Sequence, residues 1–173
     1  VAPPDEVADD VPSHWVWRDG PRAPGPAVIF DIDGVLSDAT GRQHFLDGDA
    51  SGKKNWRGFF DACGDDPLLE DVAALVDVID RDAVIVLLTG RPVRVQPNTL
   101  DWLARNHLRW DLLVMRNAGN YQHSPEFKRL TVKELRERGF EIKVSFEDDL
   151  RNIEMFKSEG VPCVYIHSGY YDA

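Results

Sequence analysis

From residue 27 onward the chain alternates short apolar runs with longer stretches whose apolar residues recur at helical spacing. Residues 27–31, 84–88, 112–115, 142–146 and 163–166 are short, largely β-branched and almost continuously apolar, which predicts strands covered on both faces. Between them, residues 68–79 repeat apolar side chains every three or four positions, and residues 99–106, 125–138 and 150–158 do so less strongly, which predicts amphipathic helices. Ser124 followed by Pro125 and Glu126 marks a helix start, and Gly139 and Gly160 suit helix exits. Strands alternating with helices predict an α/β fold, a doubly wound parallel sheet of about five strands.

Two segments break the alternation. Residues 37–66 are rich in Gly, Asp, Lys and aromatics without a clear period, so they predict an irregular connection with one short helix around residues 56–62. That is too short for a large cap domain and leaves the site beside it open. Residues 1–26 hold six of the eleven prolines and the acids Asp5, Glu6, Asp9 and Asp10, a composition that resists helix and sheet. They predict an extended arm ahead of a domain at residues 27–173, with Trp15 and Trp17 packing on its surface.

Composition narrows the class. At 173 residues, 43% apolar and 29% charged, the chain suits one globular domain, and no apolar run reaches a transmembrane length. Cys63 and Cys163 lack zinc-type or redox-type spacing and predict reduced thiols. The chain opens at Val1 without a signal-like apolar segment, as a trimmed or processed product would, and a cytoplasmic location is the expectation. A formal net charge of −10 opposes general attraction to nucleic acid or anionic membranes, so any phosphate site must gather its cations locally.

In open α/β sheets ligands bind beyond the carboxyl ends of the strands. Four polar groups fall at such boundaries: Asp31 with Asp33, Thr89 with Gly90 and Arg91, Lys128, and Asp148 with Asp149. Each alone reads as an ordinary turn, cap or solvated charge. Together they offer a nucleophile, an acid/base, a hydroxyl, a cation and metal-binding carboxylates, the set that phosphoryl transfer needs. A calcium loop beginning at Asp31 fails because its twelfth position is Arg42, and one beginning at Asp47 fails because its twelfth is Gly58. The run Glu147-Asp148-Asp149 concentrates repulsion that a bound cation would relieve.

The ordered set Asp31-Ile32-Asp33-Gly34, Thr89-Gly90-Arg91, Lys128 and Asp148-Asp149 resembles the four motifs of the haloacid dehalogenase-like (HAD) hydrolase superfamily over about residues 27–167. Within it the chain is most similar to the capless phosphatase domain of phage-type polynucleotide kinase-phosphatase, through Thr40-Gly41-Arg42, Thr89-Gly90-Arg91, Asp148-Asp149 and the closing Ser168-Gly169. The resemblance implies that Asp31 attacks phosphorus to form an aspartyl-phosphate while Asp33 protonates the leaving oxygen and later activates water. It implies Mg²⁺ held by the Asp31 carboxylate, the Asp33 carbonyl and Asp148, with Asp149 behind them. Thr89, Gly90 and Lys128 would hold phosphoryl oxygens and Arg91 would clamp the substrate phosphate. Val35, where many members have threonine, and Glu147, where glycine or an apolar residue is common, depart from the pattern.

An acid two residues past the nucleophile favours phosphate chemistry over dehalogenation. The implied substrate is a phosphorylated molecule such as a polynucleotide 3′-end, whose partners here would be Arg42, Lys53, Lys54, Arg57, Arg91 and Arg94. A small phosphorylated metabolite or nucleotide is the alternative, and a non-catalytic module of the same fold is another. A phosphorylatable receiver domain is disfavoured because the third strand ends in Met115-Arg116-Asn117 instead of an acceptor aspartate. No Gly-x-x-x-x-Gly-Lys-Ser/Thr loop is present for a kinase activity.

Overall fold

The computed structural model describes residues 11–120 and 122–171. Its strands are β1 (Trp15–Trp17), β2 (Pro26–Phe30), β3 (Val84–Pro92), β4 (Leu112–Arg116), β5 (Glu141–Glu147) and β6 (Cys163–Tyr165). Its α-helices are α1 (Trp56–Asp61), α2 (Glu70–Val78), α3 (Gln96–Arg105), α4 (Ser124–Glu137) and α5 (Leu150–Ser158). The described strands make one sheet in the order β1-β4-β3-β2-β5-β6, parallel throughout except for β1, which runs antiparallel to β4.

Strand side chains alternate between two cores because successive residues of a strand point to opposite faces. Val28, Phe30, Ile85, Leu87, Leu113 and Met115 enter one core with Val72 and Val76 of α2 and Trp102 and Leu103 of α3. Ala27, Ile29, Val84, Val86, Leu112 and Val114 enter the other with Phe127, Val132 and Leu135 of α4 and Met155 and Phe156 of α5. Burial on both faces explains why these strands read as continuous apolar runs. Leu87 is 1% exposed, so its truncation to alanine should cost about 2–5 kcal/mol.

The sheet has one strand more than expected. Trp15–Trp17, inside the segment read as an arm, pairs Trp15 with Val114 and Trp17 with Leu112, and Trp15 is buried. Three residues among prolines are too few to show a period, yet they cover an edge of β4 that would otherwise present unpaired backbone groups. The acids Asp5, Glu6, Asp9 and Asp10 lie outside the described residues. The irregular connection after β2 folds as 3₁₀ turns at Ala39–Leu46 and Cys63–Asp65 around the short α1. No helix among the described residues is long and apolar enough to cross a membrane.

From β2 the chain steps outward through β3 to β4, then returns to place β5 on the other flank of β2. The carboxyl ends of β2 and β5 therefore meet at the point where strand order reverses, which opens a crevice there.

Candidate active site

Asp31 follows the last residue of β2, and its N–H donates to the Phe146 carbonyl of β5 at 3.0 Å. The nucleophile candidate is thus tied to the strand that delivers Glu147 and Asp148. After Asp31 the chain turns at once: Leu36 and Ser37 both donate to the Ile32 carbonyl at 2.9 Å, and Gly34 holds φ +79°. A Cβ on Gly34 would fall inside the Asp148 carboxylate, 2.7 Å from its Cγ, so glycine is required by close approach as well as by conformation.

Carboxylate oxygens of Asp31, Glu147 and Asp148 lie within 4.8 Å of one another. Lys128, buried and projecting inward from α4, sets its Nζ 2.6 Å from Glu147 Oε2 and 3.2 Å from Asp31 Oδ1. The other oxygen of Glu147 accepts the N–H groups of Asp148 and Asp149 at 3.1 and 3.2 Å. Glu147 therefore orients both the lysine and the backbone of the next two acids. Burial and the nearby Glu147 raise the Asp31 carboxyl well above the usual range, and the same two causes, in that order, push Asp148 up to about 8. Burial alone would discharge Lys128, but Asp31 and Glu147 keep its ammonium charged.

Two observations fit this cluster to a divalent cation. Three acids face one ammonium, and among the described residues the buried atoms Asp31 Oδ1 and Asp148 Oδ2 have no hydrogen-bond partner. Lys128 is near enough to Asp31 Oδ1 for ion pairing but not aligned for a hydrogen bond. Hard oxygen donors with unfilled valence are what Mg²⁺ binds.

Asp33 faces away from this cluster toward two arginines. Its Oδ1 accepts Arg91 Nη2 at 2.6 Å, Arg91 Nε at 3.0 Å and Arg42 Nη2 at 2.5 Å. Burial would raise the Asp33 carboxyl, but the two guanidiniums overcome that and hold it below its ordinary value. Asp66 closes the set, accepting Arg42 Nε at 2.9 Å and the Ser37 hydroxyl. Arg42 also donates to the Phe59 carbonyl and stacks 4.2 Å over the Phe59 ring.

The expected residues converge, with differences in their tasks. Asp31, Asp33, Thr89, Gly90, Lys128 and Asp149 line one open cleft of about 840 Å³. The Thr89 hydroxyl accepts the Arg91 N–H at 3.2 Å, fixing the turn at the end of β3. Arg91 is wholly buried behind Asp33 and bonded to Asp33, Thr99 and Ser37, so its guanidinium is not available as the expected clamp on substrate. In the metal set, the arginines occupy only the Asp33 carboxylate, so the main-chain carbonyl that the resemblance assigns to the metal is not engaged by them. Asp149 turns to cap α5, accepting Arg151 N at 2.9 Å and pairing with the Arg151 guanidinium at 2.7 Å. Glu147, read as a departure from pattern, stands in the cluster instead.

Sequence reasoning missed Asp66 and Arg116 as members of the site, and it placed Glu147 in an acidic run without counting it among the ligands. Glu147 had a signal, being an acid at the end of a strand beside two others. Asp66 had none, since it reaches the site only through the fold of an aperiodic connection.

A protein-family comparison matches residues 25–171 to the polynucleotide kinase PNKP phosphatase domain. A search of curated proteins finds no match. Among solved structures, a chain of the Pnkp1/Rnl/Hen1 complex superposes with TM-score 0.69 at 23% identity, over 86% of this chain and 47% of that one. A chain from the Pnkp1/Rnl/Hen1 RNA repair complex gives TM-score 0.69 at 24% identity, over 90% of this chain and 46% of that one. A class C acid phosphatase from Bacillus anthracis, with tungstate bound, gives TM-score 0.56 at 14% identity, over 88% and 70%. The chain spans about half the length of the Pnkp1-complex chains it matches. The family match takes in every strand from β2 to β6 and both acidic clusters of the cleft, and the chain belongs to the PNKP phosphatase-domain family of HAD-like proteins.

Proposed function

We propose that this domain is a magnesium-dependent phosphomonoesterase that works through an aspartyl-phosphate on Asp31 and acts on the 3′-phosphate ends of polynucleotides. The observation that carries the reading is the arrangement at the cleft floor. Asp31 is backed by Lys128 at 3.2 Å, and two residues on stands Asp33, an acid whose charge is set by arginines.

In the first half-reaction an Asp31 oxygen bonds to phosphorus as the ester oxygen leaves and takes a proton from Asp33. In the second, Asp33 accepts a proton from water, whose oxygen attacks phosphorus, releasing phosphate and restoring Asp31. Thr89 and the backbone at Gly90 face the cleft where phosphoryl oxygens would lie, and Lys128 adds positive charge on the same side. Magnesium held by Asp31, Asp148 and Glu147 would offset charge that gathers on those oxygens.

The polynucleotide substrate is supported at the mouth of the cleft. Trp56 is 51% exposed, packs on Phe59 and Phe60, and has Lys54 Nζ 5.9 Å from its ring. An aromatic plane beside a cation suits a nucleobase next to its phosphate. The likeness to a chain of an RNA repair complex points the same way. The net charge of −10 favours the other reading, a small phosphorylated metabolite.

The test is phosphate release with and without Mg²⁺ from 3′- and 5′-phosphorylated oligonucleotides, mononucleotides, sugar phosphates and p-nitrophenyl phosphate, with Asp31→Asn alongside. Activity strongest on 3′-phosphorylated oligonucleotides and lost in the variant is expected. Preference for a small ester would select the metabolite reading, and no release from any substrate by folded, metal-loaded protein would make the domain a binding module.

A further inference from the structure

The basic side chains around the cleft differ in whether the fold supplies them with a counterion. Lys128 has Asp31 and Glu147, and Arg151 has Asp149. Behind the floor Arg42 and Arg91 have Asp33 and Asp66, while on the rim Arg94 and Arg57 share Asp61. Lys54 has no acid at ion-pairing distance among the described residues but is exposed, so water solvates its charge.

Arg116 is unlike all of these. It ends β4, beside Pro92 of β3, and lines the cleft. Its Nη1 donates to the Gln122 carbonyl at 2.9 Å, and its guanidinium lies over the Phe127 ring at 5.8 Å, one residue before Lys128. Among the described residues its buried Nε has no hydrogen-bond partner, and no carboxylate lies within ion-pairing distance. Burial draws its pKa down with no acid to raise it. Nη2 comes 3.6 Å from where a Cβ on Gly90 would stand, so the guanidinium overlooks the Thr89-Gly90 turn.

A half-buried cation with an unfilled donor and no counterion is costly unless an anion arrives with the ligand. The ring of Phe127 orients the guanidinium without neutralising it. We propose that Arg116 binds a phosphate group of the substrate, filling the place that the sequence reading gave to Arg91. This rests on the phosphatase reading. The phosphate is either the terminal monoester or the neighbouring diester of a strand, since a guanidinium fork bonds the oxygens of both.

The experiment is equilibrium binding, which stays readable whether or not the protein turns over. Inorganic phosphate and a short 3′-hydroxyl oligonucleotide are titrated into magnesium-loaded wild type, Arg116→Ala and Arg116→Gln by calorimetry, with thermal melts to show that each variant is folded. Glutamine keeps a donor for the Gln122 carbonyl and so guards against a local collapse being read as lost binding. A loss of about tenfold or more in phosphate affinity, as expected for a charge-assisted bond, places Arg116 on the terminal group. The same loss for the 3′-hydroxyl oligonucleotide alone places it on the diester. Unchanged affinity for both in folded variants overturns the proposal. Separately, kcat/KM falling through KM in Arg116→Ala supports it, and wild type without activity would sink the phosphatase reading while the binding result still stands.

Discussion

Arg91 Nη2 stands 2.6 Å from Asp33 Oδ1, and the guanidinium that makes this contact is wholly buried. With Arg42 beside it, the pair keeps Asp33 ionised at neutral pH, ready to take a proton from water but poorly loaded to give one to a leaving alkoxide. With Mg²⁺ kept saturating so that Asp31 and Asp148 stay ionised, the rate on esters with poor leaving groups should climb as pH falls toward the depressed Asp33 pKa. Arg91→Lys replaces two N–H bonds on one oxygen by a single ammonium and should move that limb to higher pH. The check is kcat/KM against pH on a 3′-phosphorylated dinucleotide, with p-nitrophenyl phosphate as a control whose good leaving group suppresses the limb. A limb that stays in place would mean that Arg91 does not set the charge of Asp33.

Gly34→Ala should injure metal binding before anything else. Its Cβ would occupy the space of the Asp148 carboxylate, and φ +79° strains any side chain there. Magnesium affinity, measured by calorimetry, should fall at least about tenfold, with a stability loss of about 1–3 kcal/mol in urea unfolding. Intact affinity would show that Asp148 is not a ligand.

Stability should depend on pH in a direction opposite to that of a paired carboxylate. The Asp148 carboxyl rises from an ordinary 3.8 to about 8 because it is buried and faces Glu147. Between these values the folded protein holds more protons than the unfolded chain, so metal-free stability falls as pH rises from about 4 to about 8. Magnesium competes with the proton and needs the ionised acid. The rise in Tm on adding millimolar Mg²⁺ should accordingly grow from pH 5 to pH 8, and a rise that is flat with pH would contradict the cluster as the metal site.

Glu147→Gln separates a ligand from a strut. The carboxylate holds Lys128 at 2.6 Å and the N–H groups of Asp148 and Asp149. Glutamine keeps one carbonyl for the backbone but loses the charge that faces Lys128 and the metal. Magnesium affinity should drop about 10–100-fold, and Asp31 should titrate at lower pH once the neighbouring charge is gone. A lower Tm with unchanged magnesium affinity would make Glu147 a structural residue only.

How much of this was legible depended on whether a signal was local. β2, β3 and β4 could be read because residues such as Ile29, Val86 and Leu113, buried on either face, give unbroken apolar runs. β5 alternates and β6 is half-exposed instead of covered on both faces, and these two were legible only as short β-branched runs. Asp31, Thr89, Lys128 and Asp148 could be placed because each sits at a strand end or helix start, where topology alone gathers them. The partners of Asp33 could not. Arg42 and Asp66 come from an aperiodic connection, and their bonds to Asp33 and Arg91 follow from its tertiary path. The sequence shows that Arg91 is near the site but not which way its guanidinium points. β1 was hidden for a related reason: three residues among prolines carry no period, and their pairing with β4 is decided by the edge they cover.

The ion pairs behind the cleft floor have a consequence for how the surface can vary. Arg42 and Arg91 are matched by Asp33 and Asp66, and Lys128 by Asp31 and Glu147, all from within the fold. Mobile ions screen exposed charges over a Debye length of about 8–10 Å but reach such enclosed pairs poorly. The buried guanidiniums of Arg42 and Arg91, which set the charge of Asp33, are thus insulated from the ionic strength outside and from the acids spread over the exterior. Selection is free to redraw the outer charge, and with it the partners this domain attracts, without retuning the groups that perform the reaction.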